Sequence, residues 1–332
     1  MNSRASAAFE RMNKLGAKRR PFLFLLDYEL ESPLVLTAEE IPNYGIRYQL
    51  PNGGSDYGCK SLGGEQNPEQ LDPITEIHAP DPISYGRAFD LVQAEQRAGN
   101  SYLCNLTAAV PVTLRCSLEE VYEISRAKFC LVWPERFVVF SPEPFVRIAG
   151  NIISSCPMKG TINAELPDAA ARILADEKES AEHTTIVDLI RNDIGRVAHH
   201  VHVPRYRYIE EIAGPRARIL AVSSRIEGEL SVDWQERIGD IFAELLPAGS
   251  ITGAPKHSTC RIIRKAEDYR RGFYTGVVGL FDGEGLESGV LIRFIEKTQE
   301  GFVFKTGGGI TMNSKTELEY QELIQKINVP FS

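Results

Sequence analysis

Residues 129–149 read FCLVWPERFVVFSPEPFVRIA, a stretch in which three short apolar runs are separated by turn residues. The runs span 129–133, 136–140 and 145–149, and their Val, Phe and Ile content is typical of β-strands. Parallel strands need a crossover of about a dozen residues or more, and the breaks here are far shorter. The stretch therefore predicts three neighbouring antiparallel strands, that is, a meander.

Helical and strand patterns lie in runs on both sides of this stretch. Apolar spacing predicts helices over 84–99, 117–126, 169–197 and 317–327, and strands over 102–112, 273–281, 290–295 and 301–305. Residues 32–82 are rich in Pro, Gly, Asn and Asp, which predicts turns and an irregular excursion. Because the strands cluster instead of alternating strictly with helices, the sequence favours an α+β fold over a doubly wound parallel sheet.

The composition narrows the class of protein. Of 332 residues, 43% are hydrophobic and 25% are charged, which is typical of a globular chain. The 37 Lys and Arg against 45 Asp and Glu give a net charge of -8, which argues against nucleic acid or an anionic membrane as partner. The six cysteines are scattered, and no apolar run or leader sequence suggests a membrane span or secretion. We therefore expect a cytoplasmic protein without disulfides.

Two pairs of glutamates have a spacing that places side chains on one face of a helix. Glu179 and Glu182 are three residues apart in the longest predicted helix, and Glu319 and Glu322 repeat this spacing in the last. Clustered carboxylates repel one another unless a cation lies between them, and oxygen ligands suit Mg2+. The pairs therefore suggest a metal ion bridging two helices. The alternatives are solvated helix faces and, for Glu319, a capping box with Thr316.

Other segments could bind an anion or act as a nucleophile. At Gly307–Gly309 the missing Cβ atoms would let ligand oxygens approach backbone N–H groups, although a β-bulge would also explain the run. Arg293 lies in an apolar strand pattern, where a buried guanidinium needs an anion unless it faces water at an edge. Lys159 lies in an apolar region, where a desolvated lysine can become a nucleophile, although most such lysines are surface residues. Residues 250–256, SITGAPK, resemble an anion-binding loop.

Taken in order, these segments resemble the chorismate-utilising enzymes, and among them most closely the aminodeoxychorismate synthases (component I). The resemblance runs from about residue 84 to residue 327. Its most specific motifs are PMKGT at 157–161, DEKE at 176–179 with AEH at 181–183, DLIRND at 188–193, SITGAPK at 250–256, and GGGI at 307–310 followed by Glu319, Glu322 and Lys326.

The resemblance implies a fold with two antiparallel β-sheets packed orthogonally and helices on the outside, in α/β/β/α layers. Residues 1–83 would form a shortened N-terminal part that matches the family poorly, and residues 84–332 the chorismate-binding catalytic region. Both parts would belong to one intertwined domain. Two positions depart from the family pattern: Ala221 stands where relatives often carry His, and Leu103 where they often carry Gln.

The resemblance also implies a role for each matching residue. Glu182 and Glu322 would be the direct Mg2+ ligands, with Glu179 and Glu319 holding metal-bound waters, and the ion would bind the ring carboxylate of chorismate. Tyr274, Arg293 and the glycine amides would bind the enolpyruvyl carboxylate. The complete set of implied substrate-binding residues is Tyr274, Arg293, Gly307, Gly308, Gly309, Lys326, Ser250 and Thr161.

Lys159 indicates the subfamily, because the related anthranilate synthases carry a small residue at this position. The implied mechanism is covalent: Lys159 adds to C2 of the ring while the C4 hydroxyl leaves, protonated by Glu143, and ammonia then attacks C4 and expels the lysine. The product would be 4-amino-4-deoxychorismate, a precursor of 4-aminobenzoate and folate. Anthranilate synthase component I and a non-catalytic chorismate-binding subunit remain alternatives. Isochorismate or salicylate synthase is disfavoured, since the strand at 102–106 lacks a lysine.

The source of ammonia is also implied by the resemblance. The chain contains no recognisable glutamine-hydrolysing domain, so a separate glutamine amidotransferase subunit is expected to supply ammonia. The expected assembly is therefore a hetero-oligomer, with chorismate as the small-molecule substrate.

Overall fold

The computed structural model describes residues 2–50, 53–54, 72–125, 127, 129–140, 143–213 and 218–329. The helices are α1 Ser3–Ala17, α2 Pro82–Arg97, α3 Leu118–Ile124, α4 Ala169–Ala175, α5 Glu177–Gly195, α6 Ile238–Leu245, α7 Gly249–Thr252, α8 Lys256–Ala266 and α9 Thr316–Gln325. The strands are β1 Phe22–Leu26, β2 Leu34–Thr37, β3 Arg47–Leu50, β4 Gly53–Gly54, β5 Ile74–Ile77, β6 Leu103–Leu114, β7 Cys130–Trp133, β8 Phe137–Phe140, β9 Glu143–Ala149, β10 Ile152–Ser155, β11 Met158–Asn163, β12 His199–Ala213, β13 Arg218–Glu229, β14 Gly253–Ala254, β15 Val277–Phe281, β16 Leu286–Val290, β17 Phe294–Thr298 and β18 Gly301–Ile310.

The strands form two sheets, and the pairings within the described residues are antiparallel. Sheet I has the order β11-β13-β10-β9-β16-β15-β1-β2, with β12 on the other side of β13. Sheet II has the order β14-β6-β18-β17-β8-β7-β3-β4, with β5 against β6. Together with the surrounding helices, they confirm the predicted α+β class with two antiparallel sheets.

The alternation of side chains along β1 explains the layers. Phe22, Phe24 and Leu26 belong to a core that sheet I shares with α1 and α6, whereas Leu23 and Leu25 belong to a second core between the two sheets. Successive strand residues point to opposite faces, so one fully buried strand contributes to both cores. A third core packs α2, α3, α8 and α9 against sheet II.

The meander predicted for 129–149 is wrong for its third strand. β7 and β8 pair in sheet II, but β9 lies in sheet I between β10 and β16. The reason is that both edges of β8 are already occupied, by β7 on one side and by β17 on the other. Ser141 and Pro142, which separate β8 from β9 in the sequence, lie outside the described residues.

Three further differences concern element boundaries. The helix predicted over 169–197 is two helices, because Asp176 is extended and its side chain instead accepts a hydrogen bond from the Glu179 N–H as the N-cap of α5. The strand predicted over 290–295 is interrupted at Arg293, where φ is +52°. The irregular region predicted over 32–82 contains β2, β3, β4 and β5, although residues 51–52 and 55–71 lie outside the described part. The proposed boundary at residue 84 stays a prediction.

Candidate active site

Glu143 and Lys159 lie close enough for the charge of Lys159 to affect the pKa of Glu143. Glu143 begins β9 and lines a small cavity that also includes Ser250, with apolar walls from Phe145, Ile190 and Leu245. Burial raises the pKa of Glu143, and the charge of Lys159 and hydrogen bonding by Ser250 only partly offset this effect. Burial therefore favours the protonated form of Glu143 near the Lys159 side chain.

A bulge in β11 shapes the surroundings of Lys159. Lys159 lies opposite Val222 of β13, and the register shifts before Thr161, which is exposed and opposite Ala221. Between them Gly160 has φ +78°, and a Cβ added there would lie 3.1 Å from Glu179 Oε2. The bulge thus brings a carboxylate of α5 against the backbone next to Lys159.

His183 is the neighbour of Lys159 to which the sequence reasoning assigned no role. Its side chain is buried, and its Nε2 lies 2.7 Å from Ser224 Oγ. Burial, followed by the charges of Arg207 and Lys159, lowers the pKa of His183 to about 4, so the imidazole is neutral near pH 7. Its Nδ1 has no hydrogen-bond partner among the described residues. Its position next to Glu182 in the sequence was the one available signal.

The glycine run lies inside a strand and faces α9. Gly307, Gly308 and Gly309 of β18 lie opposite Thr107, Leu106 and Asn105 of β6. On the other edge β17 pairs with β18 only as far as Lys305, so within the described residues no strand covers that edge beyond it. Backbone N–H groups on that edge are therefore available to a ligand.

The side chains of α9 complete this second group. A Cβ on Gly308 would lie 3.5 Å from Glu319 Oε2, 3.6 Å from Lys326 Nζ and 3.8 Å from Glu322 Oε1. Lys326 Nζ pairs with Glu322 at 2.7 Å and donates to the Gly307 carbonyl at 2.9 Å. The capping box considered for Glu319 is wrong, because the N-cap of α9 is Lys315 and Thr316 already lies inside the helix.

Ser250 connects the surroundings of Glu143 with the glycine run of β18. Its side chain forms a hydrogen bond that lowers the pKa of Glu143, and its carbonyl accepts a hydrogen bond of 3.3 Å from Asn105 Nδ2. Asn105 in turn lies opposite Gly309 in the ladder of β6 and β18. Leu103, where relatives often carry Gln, packs against the same glycine, since a Cβ on Gly309 would lie 3.1 Å from its Cδ1.

Two more predicted residues have distinct settings. Tyr274 is buried in the turn before β15, and burial raises the pKa of its hydroxyl well above the usual value, so it stays a hydrogen-bond donor. Arg293 lies in the connection from β16 to β17 and not in a buried strand, so the predicted strand setting is wrong. The Arg293 residue is exposed overall, but desolvation by its surroundings lowers the pKa of its guanidinium, and no described residue forms an ion pair with it. A cation in this setting suits an anionic ligand.

The four glutamates predicted to form a metal site lie on two helices. Glu179 and Glu182 lie on α5 near β11, and Glu319 and Glu322 lie on α9 near β18. Among the described residues, no three His, Cys, Asp or Glu side chains are grouped closely enough to hold a metal ion. Mg2+ typically uses one or two carboxylates and completes its shell with water and substrate oxygens, so this all-oxygen donor set fits it chemically. The site roles of these residues remain predictions.

The family model described as chorismate binding enzyme matches residues 57–332. The chain belongs to this family. An uncharacterized PabA-like protein of Pasteurella multocida is 47% identical over 331 residues, covering 98% of each chain. Aminodeoxychorismate synthase component 1 of Salmonella typhimurium is 31% identical over 259 residues, covering 74% of this chain and 56% of that one.

The fold also occurs in a solved structure. The menaquinone-specific isochorismate synthase MenF from Escherichia coli matches with a TM-score of 0.71 at 16% identity, covering 97% of this chain and 80% of that one. None of the described helices is long and apolar enough to cross a membrane.

Proposed function

We propose that this chain aminates chorismate at C4 to give 4-amino-4-deoxychorismate. The observation that carries the proposal is the proximity of Lys159 to Glu143, a carboxyl group whose pKa is raised by burial. A primary amine beside a protonated acid supplies the nucleophile and the proton donor that this substitution needs. Membership of the chorismate binding enzyme family supports chorismate as substrate.

Charge complementarity supports the same substrate. Chorismate carries two carboxylates, and the proposed binding groups for one of them are the guanidinium of Arg293, the hydroxyl of Tyr274 and the open backbone edge at Gly307–Gly309. We place the other carboxylate near the glutamates of α5 and α9, Glu182 and Glu322 being the proposed ligands. A bound Mg2+ would offset much of the negative charge of these glutamates and the ring carboxylate.

The chemistry of the chain's own residues can then be written in balance. The Lys159 amine forms a bond to ring C2 while the C4–O bond breaks, and Glu143 donates its proton so that water leaves. Ammonia then forms the C4–N bond while the bond from C2 to Lys159 breaks, and the Glu143 carboxylate takes back the proton released from the amines. The sum is chorismate plus ammonia giving 4-amino-4-deoxychorismate plus water, with both side chains regenerated.

The proposal includes a partner. We propose that a separate glutamine amidotransferase subunit in the cytoplasm supplies the ammonia, which is consistent with the name of the Salmonella relative, aminodeoxychorismate synthase component 1. The experiment below uses ammonium salts in place of this partner, because free ammonia is the species that attacks C4.

Product identification tests the proposal. The purified chain is incubated with chorismate, Mg2+ and ammonium at mildly alkaline pH, and the products are identified by mass spectrometry. We expect 4-amino-4-deoxychorismate, lost when Mg2+ is omitted. Anthranilate as the product would replace the proposal with the anthranilate synthase reaction, and unchanged chorismate that nevertheless binds would indicate a binding subunit.

A further inference from the structure

A buried arginine lies behind the candidate site and belongs to none of the groups described above. The Arg271 side chain is 1% exposed, and that of its partner Glu267 is 2% exposed. Arg271 Nε donates to Glu267 Oε2 at 2.8 Å, and Nη2 donates to Glu267 Oε1 at 2.6 Å. This two-point pairing offsets the cost of removing both charges from water.

The remaining donors of Arg271 reach three segments that carry site residues. Nη1 donates to the Ile251 carbonyl at 3.0 Å, directly after Ser250 in α7. Nη2 donates to the Asn105 carbonyl at 2.7 Å, in the strand residue opposite Gly309. Nη1 also lies 3.4 Å from Thr275 Oγ1, next to Tyr274. All five N–H donors of the guanidinium are therefore used.

The carboxylate partner extends the same network. Glu267 Oε1 accepts hydrogen bonds from the Thr107 N–H at 2.9 Å and from the Thr107 hydroxyl at 2.7 Å. Thr107 lies opposite Gly307 in the strand pairing of β6 with β18. The ion pair thus contacts β6 opposite both ends of the glycine run.

We infer that Arg271 is a positioning residue that sets the distances between Ser250, Tyr274 and the glycine run. The identity of the ligand that these segments bind rests on the proposed function. The role of Arg271 in positioning them follows from a single rigid guanidinium that forms hydrogen bonds to all three segments.

The geometry requires arginine and not merely a positive charge. A guanidinium presents five donors in a plane, which lets it contact Glu267 and two backbone carbonyls in different directions. A lysine ammonium at the end of a flexible stem is a point charge with three donors. Arg271→Lys therefore keeps the pairing with Glu267 and loses contacts to Ile251 or Asn105.

The test compares the full-length Arg271→Lys chain with Trp234→Phe. Trp234 is buried in the core of sheet I with α1 and α6, where its Nε1 donates to the Gly150 carbonyl at 2.7 Å, so its variant controls for a lost buried hydrogen bond. Amide hydrogen exchange is measured without ligand on peptides covering 246–254 and 272–278. We expect amide exchange about tenfold faster than in the wild-type chain in both peptides of Arg271→Lys. The exchange rates of both peptides should be unchanged in Trp234→Phe.

The second readout is the kinetics of the amination. We expect the KM for chorismate to rise about tenfold in Arg271→Lys and to stay unchanged in Trp234→Phe, since misplaced binding groups weaken substrate binding. Unchanged exchange in both peptides, or equal effects in both variants, would overturn the inference. If Arg271→Lys does not fold, Glu267→Gln is compared in its place with the same expected pattern. Failure of the wild-type chain to bind chorismate would overturn the proposed function, while the exchange comparison would still decide the role of Arg271.

Discussion

Lys159 with Glu143 and Arg271 with Glu267 are both pairs of a base and an acid, but they differ in how completely they are bonded. Every donor of Arg271 is used, and the Glu267 carboxylate raises the pKa of the guanidinium despite burial. Lys159 forms no ion pair within the described part of the chain, and burial outweighs its charge in setting the pKa of Glu143. A completed pair fixes positions, whereas an incomplete pair keeps its groups available for reaction.

The contrast between the two pairs requires that Lys159 take part in the reaction, so removing its side chain should abolish amination. We expect Lys159→Ala to lower kcat for ammonia-dependent amination by about 10³-fold or more, because the variant lacks the nucleophile. Lys159→Arg keeps the charge near Glu143 without an amine that adds to the ring, and should be equally inactive. Product formation is measured by mass spectrometry, with thermal unfolding of each variant as the control for folding. An active Lys159→Arg would mean that the residue acts by its charge alone.

Glu322 of α9 lies between these two cases, because it forms an ion pair with Lys326 but remains half exposed. We expect Glu322→Gln to raise the Mg2+ concentration needed for half-maximal activity by about 10- to 100-fold, because a neutral amide is a weak ligand for a hard cation. Glu317→Gln makes the same chemical change at an exposed position of the first turn of α9 and is the matched control. An equal Mg2+ requirement in the two variants would remove Glu322 from the metal site.

The smallest effect is expected at Ser250, whose hydrogen bonding lowers the pKa of Glu143. The proposed acid works in its protonated form, so activity should be lost as the pH rises through the pKa of Glu143. Removing the hydroxyl in Ser250→Ala raises this pKa and should move the alkaline limb of the kcat profile to higher pH. We expect kcat near neutral pH to change by less than about fivefold.

Ser258→Ala is the control for this pH profile. The Ser258 hydroxyl donates to the Asn100 carbonyl at 2.6 Å and is not part of the bonding around Glu143. Its profile should match that of the wild-type chain. A limb that stays in place in Ser250→Ala, or moves to lower pH, would contradict the assignment of Glu143 as the proton donor.

Local patterns were sufficient to predict much of the fold. The helices over 84–99 and 317–327 and the strand over 102–112 correspond to α2, α9 and β6, because their apolar spacing reflects one buried face. The partner of β9 could not be predicted, since it depends on which edges of β8 are already occupied by a distant strand. Pairings between distant segments leave no periodic signal in the sequence.

Arg270 and Arg271 show the same limit for the candidate site. They are adjacent and chemically identical, yet Arg270 is 64% exposed and pairs with Glu31, whereas Arg271 is 1% exposed. The sequence provides no signal that separates them. The glutamate pairs, Lys159 and the glycine run could be found because each has a recognisable spacing or context, but a single arginine acquires its role only from what packs around it.

The position of β1 between β2 and β15 has a consequence for how the chain reaches its fold. Phe22–Leu26, buried along its whole length, pairs with Val277–Phe281, so this edge stays open until most of the chain has been synthesised. Contacts between such distant residues slow folding, and an unpaired apolar strand invites association between incomplete chains. Fragments that end before residue 277 would expose this strand, so C-terminal truncation threatens solubility even where the N-terminal sequence is intact.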